Sequence, residues 1–266
     1  MKKGQTSKTD GIQNFLCPFT EMRITQVENV GTHKGTKAID VAAKKAGTKA
    51  AYYAPADIKC VAVVPSYGES RWQTINKVRC PNGYVGHVTF EIAHDDSFNA
   101  YVGMTLKQGE QLGNMGTKSP KGNVTGVHCH IQFSQSKTTS FIANKYGVYG
   151  FPTEAYCDDV MFIDGTTIVD TGAAKWKYAP KESTSKCPFK SSGAVEATVD
   201  GIRVRNSAST SKGDTGSRYN KGMTLNYQSV VSSDGWYWAK YKSYDGETHY
   251  CALCKTDGSS KYWKQK

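Results

Sequence analysis

A mainly β chain in two parts, an antiparallel sheet followed by a small barrel, is what three observations predict. Short runs alternate apolar and polar residues with period two, and no helix-length period stands out before residue 135. Glycine at 26 and tyrosine at 16 among 266 residues, with 38% hydrophobic residues, suit a β-rich protein with many turns. Residues 179–193 lose the alternation and gain Pro, Ser and Lys, a linker composition, before short aromatic strands resume. A chain of this length buries a real core as one large domain or two ordinary ones.

Residues 1–13 are polar and expected to fray. Phe15 to Phe19 opens the ordered part, and Met22 to Val27 reads as the first strand. The glycine-flanked loop Gly31-Thr32-His33-Lys34-Gly35 leads into Ile39-Asp40-Val41-Ala42, a strand whose Asp40 faces away from Ile39 and Val41. A single carboxylate on a strand face is ordinarily just solvated; here a histidine precedes it across a loop. Residues 50–56 and 58–64 read as strand, turn, strand, and further strands are expected around 72–78 and 86–94. His94 closes the last of these and opens the loop Asp95-Asp96-Ser97. Residues 106–116 are turn-rich and lead to Thr125-Gly126-Val127-His128-Cys129-His130-Ile131-Gln132-Phe133.

In that run both imidazoles project from one strand face, with Cys129 on the other as a core residue. Alone, the pattern suits two histidines on the wet face of an antiparallel strand. It also admits, less readily when taken alone, a pair in which one ring holds a metal and its neighbour handles protons. Residues 141–178 are mixed, and 158–168 offer either a hairpin or a short helix and turn. Beyond the linker, residues 201–206, 223–227, 236–241 and 250–253 are strands between polar turns, a pattern that predicts a small barrel.

A formal charge of +11 implies a polyanionic neighbourhood: nucleic acid, anionic lipid or the teichoic acids of a bacterial wall. No nucleic-acid recognition motif accompanies the charge, and no apolar run approaches the roughly 18 residues of a membrane span. The first ten residues are basic but lack a following apolar core, so no Sec signal peptide is read and synthesis in a cytosol is expected. The eight cysteines have no framework spacing and read as small buried apolar residues. Cys251 and Cys254 lack a second pair and read as unconnected strand cysteines.

Taken together, Gly31-Thr32-His33-Lys34-Gly35 with Ile39-Asp40-Val41-Ala42-Ala43, then Tyr53-Ala54-Pro55-Ala56, Ala93-His94 and Thr125 to Ile131 resemble the landmarks of the lysostaphin-type (LytM-type) zinc endopeptidases of peptidoglycan, in that family's order over about residues 15–140. The resemblance implies an antiparallel β-sheet peptidase domain over residues 1–178, with 141–178 as an extension. It makes His33, Asp40 and His130 the ligands of a Zn2+ ion and His94 and His128 the two assisting histidines. The chemistry agrees, since a catalytic zinc keeps three protein ligands and an open position.

One departure concerns spacing. The family has three residues between its histidine and aspartate, whereas residues 34–39 intervene here, with Thr36, Lys37 and Ala38 extra. A loop bulging between two fixed ligands accounts for it; His87 is the substitute ligand if it does not. Lys34 and Lys37 cannot serve, since an ammonium has no lone pair to give. Tyr53 and Tyr84 are available to line a substrate groove, but with 16 tyrosines in the chain coincidence is the better reading.

After the linker at 179–193, residues 194–266 resemble a bacterial SH3-type (SH3b) cell-wall-binding domain, an SH3-like β-barrel. The resemblance rests on Gly201-Ile202-Arg203-Val204-Arg205-Asn206-Ser207, Asn220-Lys221-Gly222-Met223 and Asp234-Gly235-Trp236-Tyr237-Trp238-Ala239-Lys240-Tyr241. It implies peptidoglycan as substrate and anchor, with anionic wall polymers as further partners. A peptidase joined to a wall binder without a signal peptide is also similar to phage endolysins, which wait in the host cytosol for release by a holin. A tail-associated phage protein, or a non-catalytic wall binder with a degenerate peptidase fold, is the alternative.

Overall fold

The computed structural model describes every residue apart from Asn123, 171–173, 181–186 and Asp245. The chain is mainly β, as its alternation predicts, and divides into two compact units, Met1–Pro180 and Lys181–Lys266. Of the expected linker, residues 181–186 lie outside the described residues.

The first unit is built on one eight-stranded sheet. Its strands in chain order are β1 (Glu21–Gln26), β2 (Ile39–Ala42), β3 (Ile58–Val64), β4 (Glu69–Thr74), β5 (Thr89–Ala93), β6 (Thr105–Leu106), β7 (Cys129–Ser134) and β8 (Thr167–Asp170). They lie in the order β6-β3-β4-β5-β7-β2-β1-β8. All neighbours are antiparallel except β8, which runs parallel to β1 at the edge. Period-two alternation sends Met22, Ile39, Val41, Trp72, Phe90, Ile92, Cys129, Ile131 and Phe133 to one face, where all are buried. Phe15, Phe19, Tyr52, Val160 and Met161 complete that core. The opposite face carries Asp40, Glu91, His130 and Gln132.

Two local expectations give way and one open alternative is decided. The start of the chain does not fray: Lys8–Thr9 pairs with Ile12–Asn14, and buried Asn14 donates to Ser7 Oγ and Thr9 Oγ1, each at 2.9 Å. The strand expected at 86–94 is interrupted at His87, because Val88 N–H donates to Thr74 Oγ1 at 3.0 Å and leaves the ladder. The ambiguous stretch after Tyr156 is a single helical turn, Cys157–Val160, followed by a turn into β8.

The second unit consists of β9 (Gly193–Ala197), β10 (Ile202–Arg205), β11 (Asp214–Tyr219), β12 (Thr224–Tyr227), β13 (Ser229–Ser233), β14 (Trp236–Lys242), β15 (Thr248–Lys255) and β16 (Trp263–Gln265). A three-stranded sheet, β12-β9-β16, and a five-stranded sheet, β11-β10-β15-β14-β13, enclose Val195, Val204, Leu225, Leu253 and Trp263.

Candidate metal centre

The sheet register brings the first two donors together. His130 on β7 stands directly opposite Asp40 on β2, and both leave the sheet on the face away from the core. His33 reaches the same point from a 3-10 turn, Gly31–His33, that follows β1. Thr36 Oγ1 donates to the His33 carbonyl at 3.0 Å, and Gly35 turns the chain at φ +78°. At that φ any other residue is strained, and a Cβ on Gly35 would also lie 2.7 Å from Asn144 Nδ2, which would have to shift. His33 and Asp40 meet despite the longer spacing, but the additional residues do not bulge out as expected: Thr36 and Ala38 are buried and Lys37 is half-buried.

His33 Nδ1 faces the Val27 carbonyl at 3.2 Å and must carry its proton there, which leaves the Nε2 lone pair facing inward. That Nε2 is 3.1 Å from Asp40 Oδ1 and 3.1 Å from His130 Nδ1. His130 Nδ1 is in turn 3.1 Å from Asp40 Oδ1. Donors on a tetrahedral zinc, with bonds of about 2.0–2.1 Å, lie about 3.3 Å apart. The triangle therefore has the size and the donor chemistry of a zinc site. Among the described residues no other group of three His, Cys, Asp or Glu donors gathers in this way.

Electrostatics agree with a cation at this point. Burial pulls the Asp40 carboxyl upward, but the imidazoles of His130 and His33 beside it outweigh that pull and hold the group far below the usual carboxylate range. Burial lowers His130, against the pull of Asp40, and so favours the neutral ring that a metal requires.

The two remaining histidines stand beside the triangle. His128 Nδ1–H donates to Gly126 O at 2.8 Å, and its Nε2 lies 3.6 Å from Asp40 Oδ1. His94 Nδ1–H donates to Lys118 O at 3.0 Å. Each ring is left with a free Nε2 lone pair, and the ring centroids are 4.7 Å apart. Burial, reinforced by His128 and His130, brings His94 down to about 4 despite the Lys118 carbonyl, so it is a neutral proton acceptor near pH 7. His94 also sits at φ +73°, in the left-handed region that histidine enters uncommonly. Its N–H donates to Tyr67 O at 3.0 Å. Gly68 takes the turn beside it, where a Cβ would lie 2.4 Å from Asp95 O.

A second polar row, absent from the residues singled out by sequence, backs the first. Glu91 on β5 pairs with Gln132 on β7 and with Arg71 on β4, one pleat along from His130. Glu91 and Gln132 are 3% and 1% exposed, so this row is sealed from water behind the donors. Burial, then the charge of Glu69, pushes the Glu91 carboxyl well up. The signal was present in Phe90-Glu91-Ile92, whose alternation puts Glu91 on the histidine face.

Of two cavities in this unit, the smaller is lined by residues of the cluster. It is about 220 Å³ and is lined by Gln26, Asp40, Thr125, Gly126 and His128. The larger, of about 520 Å³, has residues 35–37 as one wall, with Glu28, Phe151, Glu154 and Tyr156 around it. The other residues considered lie elsewhere. His87 Nδ1 meets Thr74 O at 3.1 Å, Tyr84 OH donates to Gln135 O at 2.8 Å, and Tyr53 packs on the cluster of Met1, Leu16 and Phe162. Cys129 is fully buried on the core face, and no described cysteine is in a disulfide.

No protein-family model matches the chain. Morphogenesis protein 1 of Bacillus phage B103 is 33% identical over 176 residues, 66% of this chain and 46% of that protein. The chain therefore spans about half the length of that relative. Among solved structures, lysostaphin of Staphylococcus simulans is similar at 18% identity, with 91% of this chain and 92% of that one covered and a TM-score of 0.34. The cell wall binding domain of the staphylococcal phage 2638A endolysin is similar at 22% identity, covering 27% of this chain and 85% of that one, with a TM-score of 0.25.

Proposed function

We propose that the first unit is a zinc-dependent endopeptidase that hydrolyses peptide bonds in the stem or cross-bridge peptides of bacterial, Gram-positive, peptidoglycan. The observation that carries the reading is the triangle of His33 Nε2, Asp40 Oδ1 and His130 Nδ1, with 3.1 Å on each side. These three residues would hold the ion. When bound, zinc lowers the pKa of water to about 7 and polarises a carbonyl. The chain itself supplies the proton handling: the Nε2 atoms of His94 and His128 face the site, each ring fixed through its Nδ1–H to a backbone carbonyl. One takes the proton of the attacking water on its Nε2 and then, as an imidazolium, gives it to the leaving amine, while the other, once protonated at Nε2, donates to the scissile carbonyl oxygen.

The second unit is read as the wall-binding part. It carries a cavity of about 360 Å³ lined by Arg203, Arg205, Trp236, Trp238 and Tyr262, with Trp236 stacked on Tyr262 at 5.3 Å. Aromatic faces beside guanidinium groups suit wall peptide or glycan, and a tether raises the local concentration of the peptidase on an insoluble substrate.

In an endolysin setting the protein is made in the host cytosol and reaches the wall after release. The name of the phage relative, a morphogenesis protein, favours a second setting in which the same peptidase is carried on the virion. Zinc analysis of the purified protein, with turbidity loss of bacterial walls before and after chelation, tests the mechanism. One zinc per chain and clearing that stops on chelation are expected; metal-free protein that still clears walls refutes it. Immunodetection in purified virions separates the two settings.

A further inference from the structure

We propose that Glu91 is the positioning residue of the metal centre: its Oε2 accepts the Nε2–H of His130 and thereby presents His130 Nδ1, as a lone pair, to the metal. The inference rests on the zinc reading above and adds the group that fixes the ring. Two polar atoms face His130 Nε2, Glu91 Oε2 at 3.6 Å and Gln132 Nε2 at 3.4 Å. The Gln132 amide nitrogen is a donor and cannot take a proton from the ring. Its orientation is set by two acceptors, Glu91 Oε2 at 3.3 Å and Tyr149 O at 3.4 Å, either of which would repel the amide oxygen if the group were turned. Glu91 is thus the acceptor for the ring proton, and it presents an oxygen lone pair in either protonation state. At 3.6 Å the contact is longer than a hydrogen bond, and a small tilt of the imidazole closes it.

The sheet makes this contact hard to avoid. Ala93 stands opposite His130 and Glu91 opposite Gln132, so the carboxyl rises one pleat away on the same face, beside an alanine too small to intervene. Burial to 3% exposure shields the carboxyl from bulk water. A metal-bound histidine ordinarily gives its second N–H to such a carboxylate, which fixes ring and tautomer.

The test uses the full-length protein with zinc as the probe, titrated against a chromophoric chelator. Glu91→Leu should weaken zinc binding about 10- to 100-fold, whereas Glu91→Gln, which keeps an acceptor oxygen, should recover to within about threefold of wild type. A folded Glu91→Leu variant that binds zinc as tightly as wild type overturns the proposal. Should that variant fail to fold, proton–nitrogen correlation spectra of the zinc-loaded wild type decide. A proton on His130 Nε2 is expected, and one on Nδ1 overturns the proposal. Wild-type protein that binds no zinc overturns the reading of the centre itself, an outcome distinct from equal affinities in the two proteins.

Discussion

Replacing His130 and His128 separately by alanine divides the site by role, because the rings sit two residues apart on one strand face and touch the centre differently. His130 supplies one of three donors. Structural zinc sites with four donors bind with about 10–16 kcal/mol, or about 2.5–4 kcal/mol per donor, so His130→Ala should weaken zinc by about two to three orders of magnitude. Its activity should vanish with the metal. His128 supplies no corner of the triangle; its Nε2 stands 3.6 Å from Asp40 Oδ1, and its Nδ1–H belongs to Gly126 O. Removing it should leave zinc affinity within about threefold, the scale of a substitution that breaks no ligand. Loss of its proton transfer should still lower kcat about 10²- to 10⁴-fold. Chelator competition measures the first quantity, and cleavage of a soluble wall peptide at saturating zinc measures the second. Equal zinc loss in both variants would mean that the two roles are exchanged, and a fully active His128→Ala protein would remove that ring from the chemistry.

Four further outcomes are expected. His94→Asn keeps a residue tolerant of the left-handed backbone at φ +73° and should change the melting temperature little while lowering kcat about 10²-fold or more; retention of a tenth of the activity would count against its role. Asp57 accepts from Gln13 Nε2, Lys107 Nζ and Gln108 N–H, which together outweigh burial and hold its carboxyl below the ordinary value. A depressed carboxyl stabilises the fold above its unfolded value of about 3.9 and loses that contribution as pH falls through the folded value. Asp57→Asn should therefore cost about 1 kcal/mol, or about 2–4 °C, from pH 5 to 8, with the gap closing below about pH 4; a gap unchanged at pH 3 would refute the linkage. Burial pushes the thiols of Cys80 and Cys251 to about 12 and those of Cys60 and Cys254 to about 11, so iodoacetamide at pH 8 should label half-exposed Cys187 first, and several modified sites in the folded protein would contradict the burial pattern. A truncated chain of residues 1–180 should cleave soluble peptides yet bind walls poorly, and undiminished wall binding would refute the tether.

What could be read in advance follows how local each determinant is. Asp40 and His130 are legible because each lies between apolar neighbours in a strand, so alternation alone sends them to the face opposite the core. The His33 loop is not, since its closure depends on Gly35 fitting against Asn144, more than a hundred positions away, and no local pattern encodes that contact. The ordering of the first 14 residues is hidden for the same reason: Ser7 N–H reaches Gln108 Oε1 at 2.9 Å and Gln13 Nε2 reaches Asp57 Oδ1 at 2.9 Å. Polar side chains there do the work that alternating apolar residues do elsewhere. Glu91 falls between these cases. Its face could be read from Phe90 and Ile92, but its closeness to His130 exists only once β5 and β7 adopt the register that sets Glu91 against Gln132. A slip of one residue would turn Glu91 into the core and the metal donors away from it. The pairing that builds the sheet is therefore also what assembles the site, and substitutions that weaken the β5–β7 register should loosen zinc before they unfold the chain.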